Sequence, residues 1–243
     1  MERPPRAVRR PRWLAARLAE VRDETANART LVFDVPGWPG HLAGQHVDLR
    51  LTAEDGYQTR RSYSLSAPAD GERVELTVQL VADGEVSPYL TKVIEPGDEV
   101  ELRGPLGGWF LWRPERAEPV LLVAGGSGIA PLMAMIRARR AAGSATPFRL
   151  VYSLREPGQM YFADELRRPG PGVDVTLVYT RATPEGWPRP PGRITAADLG
   201  PYAPADCFVC GPTGFVEAAA NLLIDLGHDP ARIKTERFGP TGE

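Results

Sequence analysis

Hydrophobic and polar residues alternate through much of the first hundred positions and then change rhythm after about residue 113. Val74-Glu75-Leu76-Thr77-Val78-Gln79-Leu80 alternates strictly, Val47-Asp48-Leu49-Arg50-Leu51 and Val100-Glu101-Leu102 repeat the pattern, and Leu31-Val32-Phe33 is a short apolar run. A period of two places one face of a strand in a core and the other in water. Gly and Pro separate the runs at Pro36-Gly37-Trp38-Pro39-Gly40, Asp70-Gly71 and Pro96-Gly97. Short strands divided by such turns predict a small antiparallel β-barrel.

The second rhythm predicts strands at 119–124, 148–154, 173–180, 206–210 and 232–237. Helices are predicted at 130–142, around 162–166, at 196–199 and at 214–226. Strands alternating with helices imply a parallel sheet covered on both faces, with ligands at the carboxyl ends of its strands. The chain therefore reads as two domains, a β-barrel over 14–113 and an α/β nucleotide-binding domain over 119–243, divided at the Pro- and charge-rich stretch 112–119.

Composition narrows the choice of partners. The 243 residues are 42% hydrophobic and 25% charged, as in a globular protein able to bury a real core, and the net charge of -2 gives no reason to expect nucleic acid. Arg3, Arg6, Arg9, Arg10 and Arg12 make residues 1–13 a basic, flexible lead-in. Arg9-Arg10 is not expected to open an export signal, because Arg17 and Glu20 interrupt the apolar stretch such a signal needs. No run approaches the ~18 apolar residues of a membrane span, so a cytoplasmic protein is expected, without a membrane partner.

Cys207 and Cys210 are the only cysteines. Three apart on a strand, they point to opposite faces and are poorly placed to pair. His41, His46 and His228 show no ligand spacing that would complete a zinc site, so no metal is expected.

Four further segments carry candidate chemistry. Val-Ala-Gly-Gly-Ser-Gly-Ile-Ala-Pro at 123–131 joins a buried strand to a helix, the arrangement in which backbone N–H groups and a helix amino end cradle an anion. It is neither Gly-x-Gly-x-x-Gly nor a P-loop. Arg60-Arg61-Ser62-Tyr63-Ser64 reads as a strand with Arg61 and Tyr63 on one face and Ser62 and Ser64 on the other. Gly84-Glu85-Val86-Ser87 is a second glycine turn entering a helix, and Gly104-Pro105-Leu106-Gly107 a glycine-rich bend.

With Cys210-Gly211-Pro212, these ordered motifs resemble the ferredoxin–NADP reductase superfamily, most closely its oxygenase-reductase and flavohaemoglobin-reductase branches, over residues 14–239. The resemblance implies an electron-transferring flavoprotein oxidoreductase. Arg61 would pair with the flavin phosphate, Tyr63 lie against the ring, and Ser64 hydrogen-bond near N5, with Ser62 beside them. Gly84, Val86 and Ser87 would serve the diphosphate, which favours FAD over FMN. Gly126, Ser127 and Gly128 would hold the nicotinamide cofactor's diphosphate. Cys210, Gly211 and Pro212 would orient the nicotinamide, and Phe238 would shield the flavin with the help of Glu236. Core packing is the alternative for Phe238. Ser64, Cys210, Glu236 and Phe238 are thus the candidate catalytic residues.

The 2′-phosphate distinguishes NADPH from NADH. Arg155 and the pair Thr180-Arg181, at the ends of two strands, resemble its grip in NADPH-dependent relatives. Asp164 and Glu165 argue the other way, since a carboxylate receives the ribose hydroxyl of NADH. NADPH is expected first and NADH second. Two cysteines cannot supply a four-cysteine iron–sulfur site on this chain, so a separate ferredoxin, flavodoxin or oxygenase component is the expected acceptor. The rivals are a reductase of free flavin and, from another class, a non-catalytic NAD(P)H sensor.

Overall fold

The computed structural model describes residues 11–201 and 203–239, so Arg3, Arg6, Arg9 and Arg10 lie outside the described residues. The first sheet comprises β1 (Trp13–Thr25), β2 (Ala28–Asp34), β3 (His46–Thr52), β4 (Gln58–Ser64), β5 (Arg73–Gln79) and β6 (Glu99–Leu106). Its order is β4-β3-β6-β1-β2-β5, antiparallel throughout. Just past β4, Leu65 bridges Leu76 of β5, which curls the two outer strands together into a barrel. Leu18, Leu31, Phe33, Val47, Leu49, Leu76 and Leu102 fill it. A short helix, α1 (Ser87–Lys92), contributes Leu90 to the same core.

β1 has no counterpart in the sequence reading. Only Ala16 and Leu18 of its thirteen residues are fully buried, and charged side chains fill much of the rest. Its pairing with β2 also slips at Leu18/Glu20 and Asp23/Thr25, which breaks any regular period.

The second sheet holds β7 (Val120–Gly125), β8 (Phe148–Leu154), β9 (Val173–Tyr179), β10 (Asp206–Pro212) and β11 (Ile233–Phe238), parallel in the order β11-β10-β7-β8-β9. α2 (Ile129–Ala141), α3 (Ala163–Arg167), α4 (Ala196–Leu199) and α5 (Thr213–Asp225) connect the strands. Two separate apolar clusters lie on the sheet, one holding Cys210 and the other Cys207, so the two free thiols sit on opposite faces. The strand order reverses between β7 and β10, and the crevice outside their carboxyl ends is where such sheets bind ligands.

The two domains are fastened at several points. Phe110 and Trp112, in the connection after β6, make edge-to-face contacts with Phe208 and Phe148 of the second domain's core, at centroid distances of 5.4 Å and 5.1 Å. Arg137 of α2 donates to the Ser66 carbonyl at 2.9 Å and pairs with Glu75 of β5 and Glu165 of α3. Glu24 of β1 accepts from the Phe162 N–H at 2.7 Å and so helps hold Phe162 in its left-handed conformation, φ 54°. Among the described residues no helix is long and apolar enough to cross a membrane.

Candidate functional site

The register of β3 and β4 sorts the Arg-x-Tyr-Ser side chains. Arg61 and Tyr63 face the buried residues Leu49 and Val47, while Ser62 and Ser64 stand opposite Asp48 and His46 on the other face. Burial raises the Tyr63 phenol well above its ordinary pKa, so it remains neutral. Ser62 turns its hydroxyl to Asp48, donating at 2.7 Å. Burial alone would raise the Asp48 carboxyl, but bonds from Arg103 and Ser62 hold it below its usual range. Ser62 is therefore committed on the barrel's outer face, away from Arg61 and Tyr63.

The Gly84 turn is docked onto β4 by Glu85. This carboxylate accepts from Tyr57 at 3.1 Å and from Thr59 at 2.9 Å, and lies 3.5 Å from the exposed Arg61 guanidinium. Val86 is buried in the barrel core, and Ser87 uses its hydroxyl to accept from the Val81 N–H at 3.0 Å. The Ser87 side chain thus shapes the turn, and any donor this segment offers an anion comes from its main chain.

In the Gly125–Gly128 turn the glycines do different work. Gly126 has φ +55°, and a Cβ there would meet nothing within 4 Å, so this residue opens to the crevice. A Cβ on Gly128 would collide with the Cys210 carbonyl and the Gly211 nitrogen. Gly128 is thus demanded by close packing of the turn on β10, whereas Gly126 leaves the backbone accessible to a ligand.

The other wall of the crevice is the end of β10. Cys210 is 1% exposed, and burial reinforced by nearby Glu236 raises its thiol far above the ordinary range, which keeps it protonated. In the parallel ladder Cys210, Gly211 and Pro212 stand beside Glu236, Arg237 and Phe238 of β11. Lys234, Glu236 and Phe238 alternate onto one face of that strand. Lys234 donates to the Leu111 carbonyl at 3.1 Å, while Phe238 stays 36% exposed rather than joining a core. Burial pushes the Glu236 carboxyl up to about 7, and its Oε2 has no hydrogen-bond partner. Glu236 Oε1 lies 3.8 Å from His46 Nδ1 across the domain seam. His46 is the site residue that sequence reasoning missed; its spacing marks no ligand, and only the β3–β4 register sets it beside Ser64.

Arg155 and Arg181 extend from the ends of β8 and β9, linked through the main chain by Arg181 N–H to Arg155 O at 2.9 Å. Both are exposed, and among the described residues neither makes an ion pair. The competing acids are occupied. Glu165 is gripped by Arg137 and Arg140, and these bonds hold its carboxyl below the usual range although burial opposes that; Asp164 pairs with Arg167 at 3.3 Å.

Comparison with known proteins agrees with this arrangement. The family model described as oxidoreductase FAD-binding domain matches residues 15–111, and that described as oxidoreductase NAD-binding domain matches residues 122–221. The chain belongs to the ferredoxin–NADP reductase superfamily. Within that superfamily it is 33% identical to the ferredoxin reductase component of 3-ketosteroid-9-alpha-monooxygenase from Mycolicibacterium smegmatis, over 93% of this chain and 65% of the relative. A flavohemoprotein of Rhodopirellula baltica is 31% identical over 84% of this chain and 54% of its own length. The chain thus spans between about half and two-thirds of the length of these relatives. Among solved structures, the flavohem-like FAD/NAD-binding domain of a nitric oxide dioxygenase from Vibrio cholerae superposes with a TM-score of 0.84 at 26% identity, covering 93% of this chain and 99% of that domain.

The residues fit both groups that the family implies. The open main chain at Gly126 suits a diphosphate, and the buried, partnerless Glu236 Oε2, on a carboxyl set between Cys210 and His46, is a free acceptor at the seam.

Proposed function

We propose that this chain is an FAD-dependent NAD(P)H oxidoreductase that prefers NADPH and passes electrons to a separate acceptor, a ferredoxin or an oxygenase component. FAD, when bound, supplies the atom that accepts hydride and the means to release electrons. The chain supplies the two sites and holds them against each other. The observation that carries the reading is the 3.8 Å approach of His46 and Glu236, which brings the Ser64 end of β4 to the crevice at the end of β10.

Arg61 would hold the flavin phosphate by a charge-assisted contact, exchanging its weak, exposed link to Glu85 for a negatively charged phosphate oxygen. Tyr63 flanks the ring with a neutral phenol, and Ser64 offers its hydroxyl to the reactive edge. The main chain at Gly84, Val86 and Ser87 faces the FAD diphosphate; Gly126, Ser127 and Gly128 take that of the nicotinamide cofactor. Cys210, Gly211 and Pro212 form the wall against which the nicotinamide rests, and Cys210 acts as a buried thiol, not a nucleophile. Glu236 Oε2 would accept from the cofactor's amide, and Phe238, exposed on the same face of β11, would cover the flavin.

NADPH preference rests on Arg155, Thr180 and Arg181, and on the removal of Glu165 from competition by Arg137. Two charge-assisted contacts of about 1.5–3 kcal/mol each suffice for at least roughly tenfold discrimination. The ferredoxin reductase component among the relatives supports an iron–sulfur protein as acceptor.

The test is turnover by the FAD-loaded chain with NADPH, comparing a bacterial ferredoxin with free FAD as acceptor. Faster reduction of the ferredoxin supports the proposal. Faster reduction of free flavin would make the protein a flavin reductase, and no turnover with either, despite bound nucleotide, would leave a sensor.

A further inference from the structure

The barrel reaches the last strand of the second sheet through one titratable side chain. His46 opens β3 and is held in two ladders, opposite Ser64 of β4 and opposite Leu106 of β6. The β3–β6 register shifts between His46 and Asp48, a bulge of the kind that re-aims a side chain. Gly107 leaves room on the Nδ1 side, since even a Cβ there would come within 3.2 Å of that atom. On the far side of the seam, Glu236 has one oxygen toward His46 and the other buried without a partner.

We propose that His46 is a positioning residue for Glu236: the imidazole, fixed on the barrel, aims the carboxyl of the last strand at the flavin edge. The proposal rests on the reading of the seam as the place where flavin and nicotinamide meet. A carboxyl on a terminal strand has several rotamers, and a contact to one oxygen leaves the second pointing in one direction. The groups facing His46 are few. Asp48 lies two residues along β3 and is neutralised by Arg103 of β6; β4 contributes Ser64, β6 contributes Leu106, and β11 contributes Glu236. Burial lowers the His46 pKa, against the pull of the Asp48 carboxylate, and raises that of Glu236 to about 7. At 3.8 Å each group should feel the other's charge, so the two should titrate as a coupled pair.

The test uses the FAD-loaded chain and the variants Glu236→Gln, His46→Asn and His46→Leu. Proton NMR first follows the imidazoles with pH; the chain has three histidines, and the His46 signal is the one lost in His46→Asn. In the wild type this signal should titrate over a broadened range. In Glu236→Gln it should narrow to a single site and move down by about half a pH unit or more, because the carboxylate no longer favours imidazolium. An identical His46 curve in both proteins overturns the pair. Flavin reduction by saturating NADPH is the second readout. His46→Leu should slow it about tenfold with little change in KM, as expected when a reacting partner is misaimed. His46→Asn, whose amide nitrogen stands near the place of Nδ1, should recover most of the rate. Equal rates in all proteins, or an Asn variant as slow as Leu, overturn the positioning role. Should His46→Leu fail to fold, the Asn rate and the titration decide the matter. A wild-type flavin that NADPH does not reduce would defeat the functional reading itself, while the titration would still show whether His46 and Glu236 are coupled.

Discussion

The two glycine turns look alike in one dimension and differ in three. Gly125–Gly128 follows a fully buried strand, leads into the thirteen-residue α2, and is pressed so closely onto β10 that Gly128 tolerates no side chain. The Gly84 turn leads into a helix of six residues, buries Val86, spends the Ser87 hydroxyl on Val81, and is tied to β4 by Glu85. On the proposed reading the first turn would present a closely packed backbone to its anion, whereas the second would leave the main attraction to one exposed side chain, Arg61. A glycine turn before a helix is not one device but two, and the packing behind it decides which.

Several substitutions test that contrast. Gly128→Ala drives a Cβ into the Cys210 carbonyl and should cost about 3 kcal/mol or more in denaturant unfolding, whereas Gly84→Ala, whose nearest contacts are 3.1 Å, should cost about 1 kcal/mol. Equal costs would erase the distinction between the turns. Arg61→Ala should weaken FAD binding by about ten- to a hundredfold, read by equilibrium dialysis, while thermal stability stays nearly unchanged. Next comes the carboxyl at the seam. Burial raises Glu236 from 4.5 to about 7, so the native state keeps a proton that the unfolded chain has released. This group's contribution to stability should therefore be fully present below about pH 4.5 and be lost as pH rises toward 7, about 1–3 kcal/mol in all. Glu236→Gln should remove that slope in pH-dependent unfolding. The smallest effect concerns nucleotide choice: Arg181→Ala should raise KM for NADPH about tenfold and spare NADH. Equal responses to both cofactors would show that Arg181 does not touch the 2′-phosphate.

What was legible in the chain followed from short-range geometry. Strand alternation placed Arg61 with Tyr63 and Ser62 with Ser64, and it separated Cys207 from Cys210; the register and the two apolar clusters agree. The parallel sheet announced itself because strands buried on both faces are continuous apolar runs. β1 was illegible because its buried positions are few and its register slips twice. Phe110 and Trp112 follow the barrel in sequence but pack in the second domain's core, a choice made by tertiary contact alone. The same holds at the site. Nothing local shows that Arg137 neutralises Glu165, that Glu85 sits against Arg61, or that His46 meets a carboxyl from the far end of the chain.

On this reading one seam brings a nicotinamide to a flavin, with NADPH favoured by Arg155 and Arg181. The most direct test is anaerobic mixing of the FAD-loaded protein with NADPH or NADH while flavin absorbance is followed. Rapid bleaching, faster and at lower concentration with NADPH, is the result predicted. Bound flavin that neither nucleotide bleaches would contradict the account, and equal bleaching by both would contradict the role given to Arg155 and Arg181.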